Sequence, residues 1–448
     1  MPAIPLLDPA SLTLPPVYAQ SYAGTLLARP VFLSATQADQ IGRDLRTLCD
    51  LLLDLPTRLC EGRLADFAEL LRIPESLRPL VATGDVRQLP IYARADLIDE
   101  GDRFQLVELN FGSELGGLDA AQMNRAWLAA PGFTEFARSS GLEYVDTAAH
   151  TVALLRQAAA RVKAADARFV LVEARDALAE HLHVFVSIRE ALAELGIEIE
   201  LAEIHQLEPD GHGGISLAGA PVDVVLRYFS SGELVGDDEA IEKYRLLEAA
   251  DSADRTALVS SLSAACLASK SALAILHAPD TQTVLSSDER HLVERLVPWT
   301  ALVADLDEGT RQAVSRDRED YVIKPGIGYG GVGTFIGAQE SAPTWEEALQ
   351  HAAGSDGVVQ RRVLPAAEFV VNPATGITET WHANWGVFVT DEGYAGGFVR
   401  ALKPTEGTII GYANPGTRGA PIFTYPDNTS AVANAAEVGS WPIPVPMS

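Results

Sequence analysis

The chain has 448 residues, enough for two or three domains with sizeable cores. Its 34 lysines and arginines stand against 61 aspartates and glutamates, a formal charge of −27. That surplus argues against nucleic acid and anionic membrane surfaces as partners, so any anion bound must be held locally by placed cations or a metal.

The first residues, MPAIPLLDPASLTLPP, are apolar but lack a basic start and are broken by prolines, so neither a signal peptide nor an anchor is expected. No apolar run approaches the roughly 20 residues that span a bilayer. Cys49, Cys60 and Cys266 have no metal-ligand spacing and form no even framework. Together these features predict a soluble protein of the reducing cytoplasm. From 34 to 80, Leu45, Leu48, Leu52, Leu55 and Leu59, then Leu64, Phe67, Leu70 and Leu71, recur mostly every three or four residues. They predict a helical N-terminal region over 1–85, its leucines serving as core or as contacts between two copies, which leaves a homodimer open.

Residues 86–135 read as a hairpin and a helix: IYARADLI, the turn DEGD, RFQLVELN, then a helix over 118–128. Residues 136–235 read as a small open α/β domain, with strand RFVLVE, a helix, strand IEIELAEI, a GHGG turn and a strand ending VDVVLRYF. The remainder, 236–448, is helical to about 300, forms a hairpin over 321–337, returns to short strands over 357–402 and looks irregular after 403. The fold class is α/β, in the broad α+β sense.

Two segments carry chemistry. YVIKPGIGYGGVGTFIG sets Lys324 at the end of an apolar strand and five glycines within the next nine residues. Glycines let backbone N–H groups approach phosphate oxygens, and Lys324 adds a point charge of the right sign. Gly328, Gly330 and Gly333 also satisfy GxGxxG, but β-favouring Thr334, Phe335 and Ile336 follow where a dinucleotide fold requires a helix. A flap over a nucleotide is expected, with an ordinary glycine-rich hairpin as the alternative. In the 92–111 hairpin, Arg94 and Asp96 share one face, as do Glu108 and Asn110. A turn centred on Asp102 sets Asp96 opposite Glu108 and Arg94 opposite Asn110. Facing carboxylates repel unless a cation lies between them, and Asp, Glu and an Asn carbonyl are the hard oxygens that Mg2+ uses beside substrate phosphates. The alternative is a solvated face with an Arg–Asp pair. Arg227 stands near the end of a buried-looking strand, where open α/β sheets bind ligands, and is either a contact for a substrate carboxylate or half of a structural ion pair. The histidines fall in no motif, and Trp127, Trp299, Trp345, Trp381 and Trp385 read as packing.

From about 90 to 402 the motifs and their order resemble the glutathionylspermidine synthase branch of the ATP-grasp ligases. YARADLIDEGDRFQLVELNFGSELGGLDAAQMN resembles that branch's metal-binding segment, placed before the flap as in a permuted ATP-grasp fold. KPGIGYGG resembles its flap, ASKSALAILH its helix with the second phosphate lysine, here Lys270, and GVVQRRVL its hinge strand, with Gln360 at the polar position near the adenine. NWGVFVTDEGYAGGFVR resembles the next strand pair, which ends in an arginine near the transferred phosphate, here Arg400. The resemblance implies a permuted ATP-grasp fold with a preATP-grasp-like α/β domain. It implies ATP and Mg2+ as cofactors: Lys270, Lys324, Gly328, Gly330, Gly331 and Gln360 on the nucleotide, Asp96, Glu108 and Asn110 on the metal, and Arg94 and Arg400 on the transferred phosphoryl. Ser113 falls where the branch has small hydroxyl residues near the acid substrate. The implied activity joins a small-molecule or peptide carboxylate to an amine. A phosphotransferase and a non-catalytic ATP-binding scaffold are the alternatives. The chain departs from the branch at Tyr329 and Gly330, where an arginine and an acid are common, at Phe111 and Gly112, where an Ala-Asp pair is common, and in having no amidase domain. Glutathione and spermidine are therefore not carried over.

Overall fold

A computed structural model of the chain describes residues 5–22, 25–328 and 330–427; Tyr329 and the first four residues thus lie outside the described residues. The helix Ala35–Cys60 begins with a reciprocal cap: Ser34 Oγ accepts from the Gln37 N–H, and the Gln37 side chain accepts from the Ser34 N–H. It ends at Glu61 in the left-handed region, φ 53°. Leu45, Leu48, Leu52 and Leu55 are fully buried within the chain and belong to its core, whereas Leu70 is exposed.

The helix covers one face of a seven-stranded sheet. Across this sheet run Val31–Ser34, Arg418–Tyr425, Gly393–Leu402, Thr378–Thr390, Tyr92–Asp99 and Phe104–Phe111. Ala367–Val371 pairs with the first half of Thr378–Thr390, along the edge whose second half pairs with Tyr92–Asp99. One expectation is corrected here and a second is extended. The segment after 403 is not irregular throughout, because Arg418–Tyr425 lies inside the sheet between two partners. Residues 1–85, though mostly helical as expected, also contribute the strand Val31–Ser34, which pairs in parallel with Arg418–Tyr425. Ala93, Ala95, Leu109, Trp385, Val387, Val399 and Ala401 join the core beneath the helix, while the alternate residues Arg94, Asp96, Glu108, Asn110, Asn384 and Arg400 line a cleft on the other face.

The α/β unit forms a parallel sheet in the order Ala257–Val259, Val224–Arg227, Phe169–Glu173, Ile199–Glu203, and so extends beyond residue 235. A third sheet is antiparallel, in the order Thr300–Leu302, Val358–Arg361, Tyr321–Lys324, Phe335–Ile336. The last two strands are the hairpin around the glycine segment, and a strand follows the glycines where the dinucleotide reading needs a helix. A small three-stranded sheet covers Leu207–Val222. Trp127, Trp345, Trp381 and Trp385 are buried packing residues, and Trp299 packs against the core of the third sheet. All three cysteines are buried and free. Among the described residues no helix is long and apolar enough to cross a membrane.

The long helix meets the sheet backbone to backbone at Gly42, where a Cβ would lie 2.4 Å from the Tyr394 nitrogen. Gly42→Ala should therefore push the helix off the Gly393–Leu402 strand and cost about 1–3 kcal/mol, despite the better helix propensity of alanine. Chemical denaturation measures this, and an unchanged midpoint would mean that the contact yields freely.

Candidate functional site

The hairpin that carries the acidic residues is not regular. Asp99 pairs with Phe104, Ile98 with Gln105 and Leu97 with Leu106, so the turn is centred half a residue before Asp102. A regular ladder from that turn would set Asp96 opposite Val107. The register instead shifts between Asp96 and Leu97, so that Asp96 faces Glu108 and Arg94 faces Asn110. Val107 is the extra residue of a β-bulge, a device that re-aims side chains beside active sites.

The facing carboxylates are compensated by cations from three segments. Arg94 Nε donates to Asp96 Oδ1 at 3.2 Å, Arg400 Nη2 to Asp96 Oδ2 at 2.6 Å, and Lys270 Nζ to Glu108 Oε1 at 3.0 Å. Burial pushes the Asp96 carboxyl up, but the Arg400 and Arg94 guanidiniums outweigh it and hold it below the usual carboxylate range. Both guanidiniums also lie over the Phe398 ring, 5.9 and 5.8 Å from its centre. Arg400 Nε is buried with no hydrogen-bond partner among the described residues.

The two lysines meet at the same place. Lys270 Nζ donates to the Gly328 carbonyl at 3.0 Å as well as to Glu108, joining the glycine flap to the acidic hairpin. Lys324 Nζ donates to Gln360 Oε1 at 2.7 Å and to the carbonyl of the bulged Val107 at 3.1 Å. Gly330, Gly331 and Gly333 take φ of 64°, 76° and 73°, the left-handed conformation in which backbone N–H groups can converge on an anion. The flap's base is fixed by Lys270 N–H on the Gly326 carbonyl at 2.9 Å and Ile327 N–H on Asp356 Oδ2 at 2.8 Å.

These groups line one cleft of about 740 Å3. Arg94, Asp96, Glu108, Asn110, Lys270, Lys324, Gly328, Gly330, Gly331, Gln360 and Arg400 are all brought to it, whereas Ser113 and Arg227 are not. Ser113 is fully buried; its hydroxyl donates to the Arg227 carbonyl at 2.7 Å and accepts from the Ser260 N–H at 2.8 Å. Arg227, also fully buried, binds the carbonyls of Ser260 and Phe229 and pairs with Glu114. Of the two readings the sequence left for Arg227, the structure has the ion pair, with Glu114 as the member that reaches the cleft. The sequence reading missed Glu114, Arg361, Arg362, His382 and Asn384. Asn384 was within reach: it lies directly opposite Arg400 in the next hairpin and accepts from Arg400 Nη2 at 3.2 Å. The lining carries six lysines and arginines against three acids, a reversal of the chain's overall charge.

The donor set can be tested against the metal that the resemblance implies. No group of three His, Cys, Asp or Glu among the described residues would hold a metal unaided. Mg2+ bound with substrate phosphates needs only one or two carboxylates. Glu108 keeps one oxygen off Lys270, and Asn110, whose Nδ2 donates to the Arg94 carbonyl at 3.3 Å, keeps its carbonyl oxygen available. Both oxygens of Asp96 are engaged by arginines. The set therefore fits Mg2+ through Glu108 and Asn110 first.

No family model matches the chain, and no curated protein matches it in sequence. Among solved structures, a glutathione synthetase-like effector from Globodera pallida is similar over 89% of this chain and 90% of its own, with a TM-score of 0.58 at 13% identity. D-alanyl-alanine synthetase A from Vibrio cholerae matches 57% of this chain and 74% of its own at 12% identity, with a TM-score of 0.32, too low to carry weight. The first likeness shows a shared fold, and at such identity the fold alone.

Burial lowers the Lys324 ammonium to about 8, with Lys270 adding to the effect and Glu108 and Asp96 opposing it. The charged form present below that value is lost above it. Affinity of the cleft for an anion such as inorganic tripolyphosphate, used as a probe of this ammonium, should fall as the pH rises through about 8, towards roughly tenfold per unit, and Lys324→Arg, which does not titrate there, should flatten the dependence. Calorimetric titration between pH 7 and 9.5 checks this.

Proposed function

We propose that the protein is an ATP-dependent carboxylate–amine ligase that forms an amide or peptide bond through an acyl phosphate, on a permuted ATP-grasp scaffold akin to the glutathionylspermidine synthase branch. The observation that carries this reading is the convergence of Lys270, Lys324, Arg94 and Arg400 with Asp96, Glu108 and Asn110 in one cleft roofed by a glycine flap. Phosphoryl transfer asks a protein mainly for positioning and charge neutralisation, which this set of groups supplies.

In this reading Lys270 and Lys324 hold the phosphates, each with an N–H left for the cleft. Arg94 and Arg400, fixed on Asp96 and Phe398, hold the negative charge of the acid as it takes the phosphoryl group and of the adduct formed when the amine attacks. The flap, anchored at Gly326 and Gly328, keeps water from the acyl phosphate. Bound Mg2+ would neutralise phosphate charge beside Glu108 and Asn110. The substrates are a small-molecule or peptide carboxylate and an amine.

Incubation with ATP, candidate acids and hydroxylamine should release ADP and trap a hydroxamate; a stable phosphorylated product would instead make the protein a phosphotransferase. Glu108→Gln and Lys324→Met should each lower ADP release roughly 100-fold or more while the protein still melts cooperatively. Undiminished turnover in both variants would overturn the reading.

A further inference from the structure

Gln360 lies on the hinge strand Val358–Arg361, where the family resemblance would have it contact the base. Its amide is engaged elsewhere. Gln360 is 3% exposed, its Oε1 accepts from Lys324 Nζ at 2.7 Å, and its Nε2 donates to Thr300 Oγ1 at 3.1 Å. Thr300 is fully buried and donates its own hydroxyl proton to the Pro298 carbonyl at 2.7 Å. We infer that Gln360, oriented by Thr300, is a positioning residue for Lys324 and not a reader of the base, an assignment that rests on the nucleotide-binding reading above.

Donor and acceptor chemistry fixes the direction of this chain. A lysine ammonium only donates, so an oxygen must face it; a threonine hydroxyl whose proton is committed to a carbonyl can only accept, so the amide nitrogen must face Thr300. The backbone places the three residues together. Thr300 is directly opposite Gln360 on one side, Val322 is opposite it on the other, and Lys324 follows Val322 by two residues, on the same face. With the Val107 carbonyl, Gln360 takes two of the three ammonium donors and leaves the third for the cleft. Without the Thr300 hydroxyl the amide could turn and present its NH2 to the ammonium, donor against donor, and Lys324 would lose its fixed place.

The test uses three probes titrated calorimetrically into the full chain: ATP, inorganic tripolyphosphate and adenosine. Gln360→Leu should weaken ATP and tripolyphosphate together, by about tenfold or more, and leave adenosine unchanged. Thr300→Val should give the same pattern with a smaller loss, and Thr300→Ser, which keeps the hydroxyl, should behave as the parent. Loss of adenosine and ATP with tripolyphosphate intact would make Gln360 a base reader and overturn the assignment. An equal loss of all three probes, or no loss, would overturn it as well. If Gln360→Leu does not fold, the Thr300 pair decides by the same criteria. A parent protein that binds neither ATP nor tripolyphosphate would overturn the nucleotide reading itself, an outcome distinct from the others.

Discussion

Two carboxylates face each other across one rung of the central sheet, and much of the site follows from the need to compensate them. Asp96 is almost fully buried and Glu108 is its direct cross-strand neighbour. Left alone, such a pair would repel in a medium of low dielectric, and one carboxyl would hold a proton. Arg94 comes from the hairpin itself, Arg400 from a strand some 300 residues on, and Lys270 from a short helix in between. Each binds a carboxylate oxygen, so the acid pair fastens three distant parts of the chain to one spot. Removing both arginines would leave the buried Asp96 charge uncompensated, which is far more costly than the net worth of any single pair. The acids are thus the frame that holds the cations in place.

The sheet separates stability from chemistry by the alternation of its strands. Alanine, leucine and valine on one side lie against the long helix, and the charged residues between them line the cleft. The cation surplus inside the concave site works against the −27 charge of the whole chain: anions are disfavoured over most of the surface, and the clustered cations are what gives the local field the opposite sign.

What could be read from the sequence was local. The 94/110 and 96/108 pairs follow from strand alternation and an acidic turn, and the flap follows from glycine spacing beside Lys324. The pairs came out right for an incomplete reason: the turn is centred half a residue earlier than the sequence suggests, and the bulge at Val107 makes up the difference. No residue type marks that bulge in advance, although it both sets Asp96 against Glu108 and turns the Val107 carbonyl to Lys324. The joining of Val31–Ser34 to Arg418–Tyr425 is equally silent, since a pairing across nearly the whole chain leaves no periodicity in either segment. Arg227 was singled out correctly as a charge at a strand end, but its partner Glu114 is 113 residues away and only the fold brings them together.

The lysines give the last step. A free lysine side chain carries about 2 kcal/mol of rotamer entropy and is a poor fixed point for a phosphate. Here Lys270 is held on two sides by Glu108 and the Gly328 carbonyl, and Lys324 on two sides by Gln360 and the Val107 carbonyl. Each ammonium has three donors, so each presents a single remaining N–H from a position settled during folding. The entropy of ordering is then charged to the stability of the protein and not to the binding of its ligand, which is what preorganisation means in energetic terms. It also gives the neighbouring polar groups their part: the bulge carbonyl, the flap carbonyl and the buried amide set where the charges stand, so that under the proposed function a polyphosphate would meet them already in place.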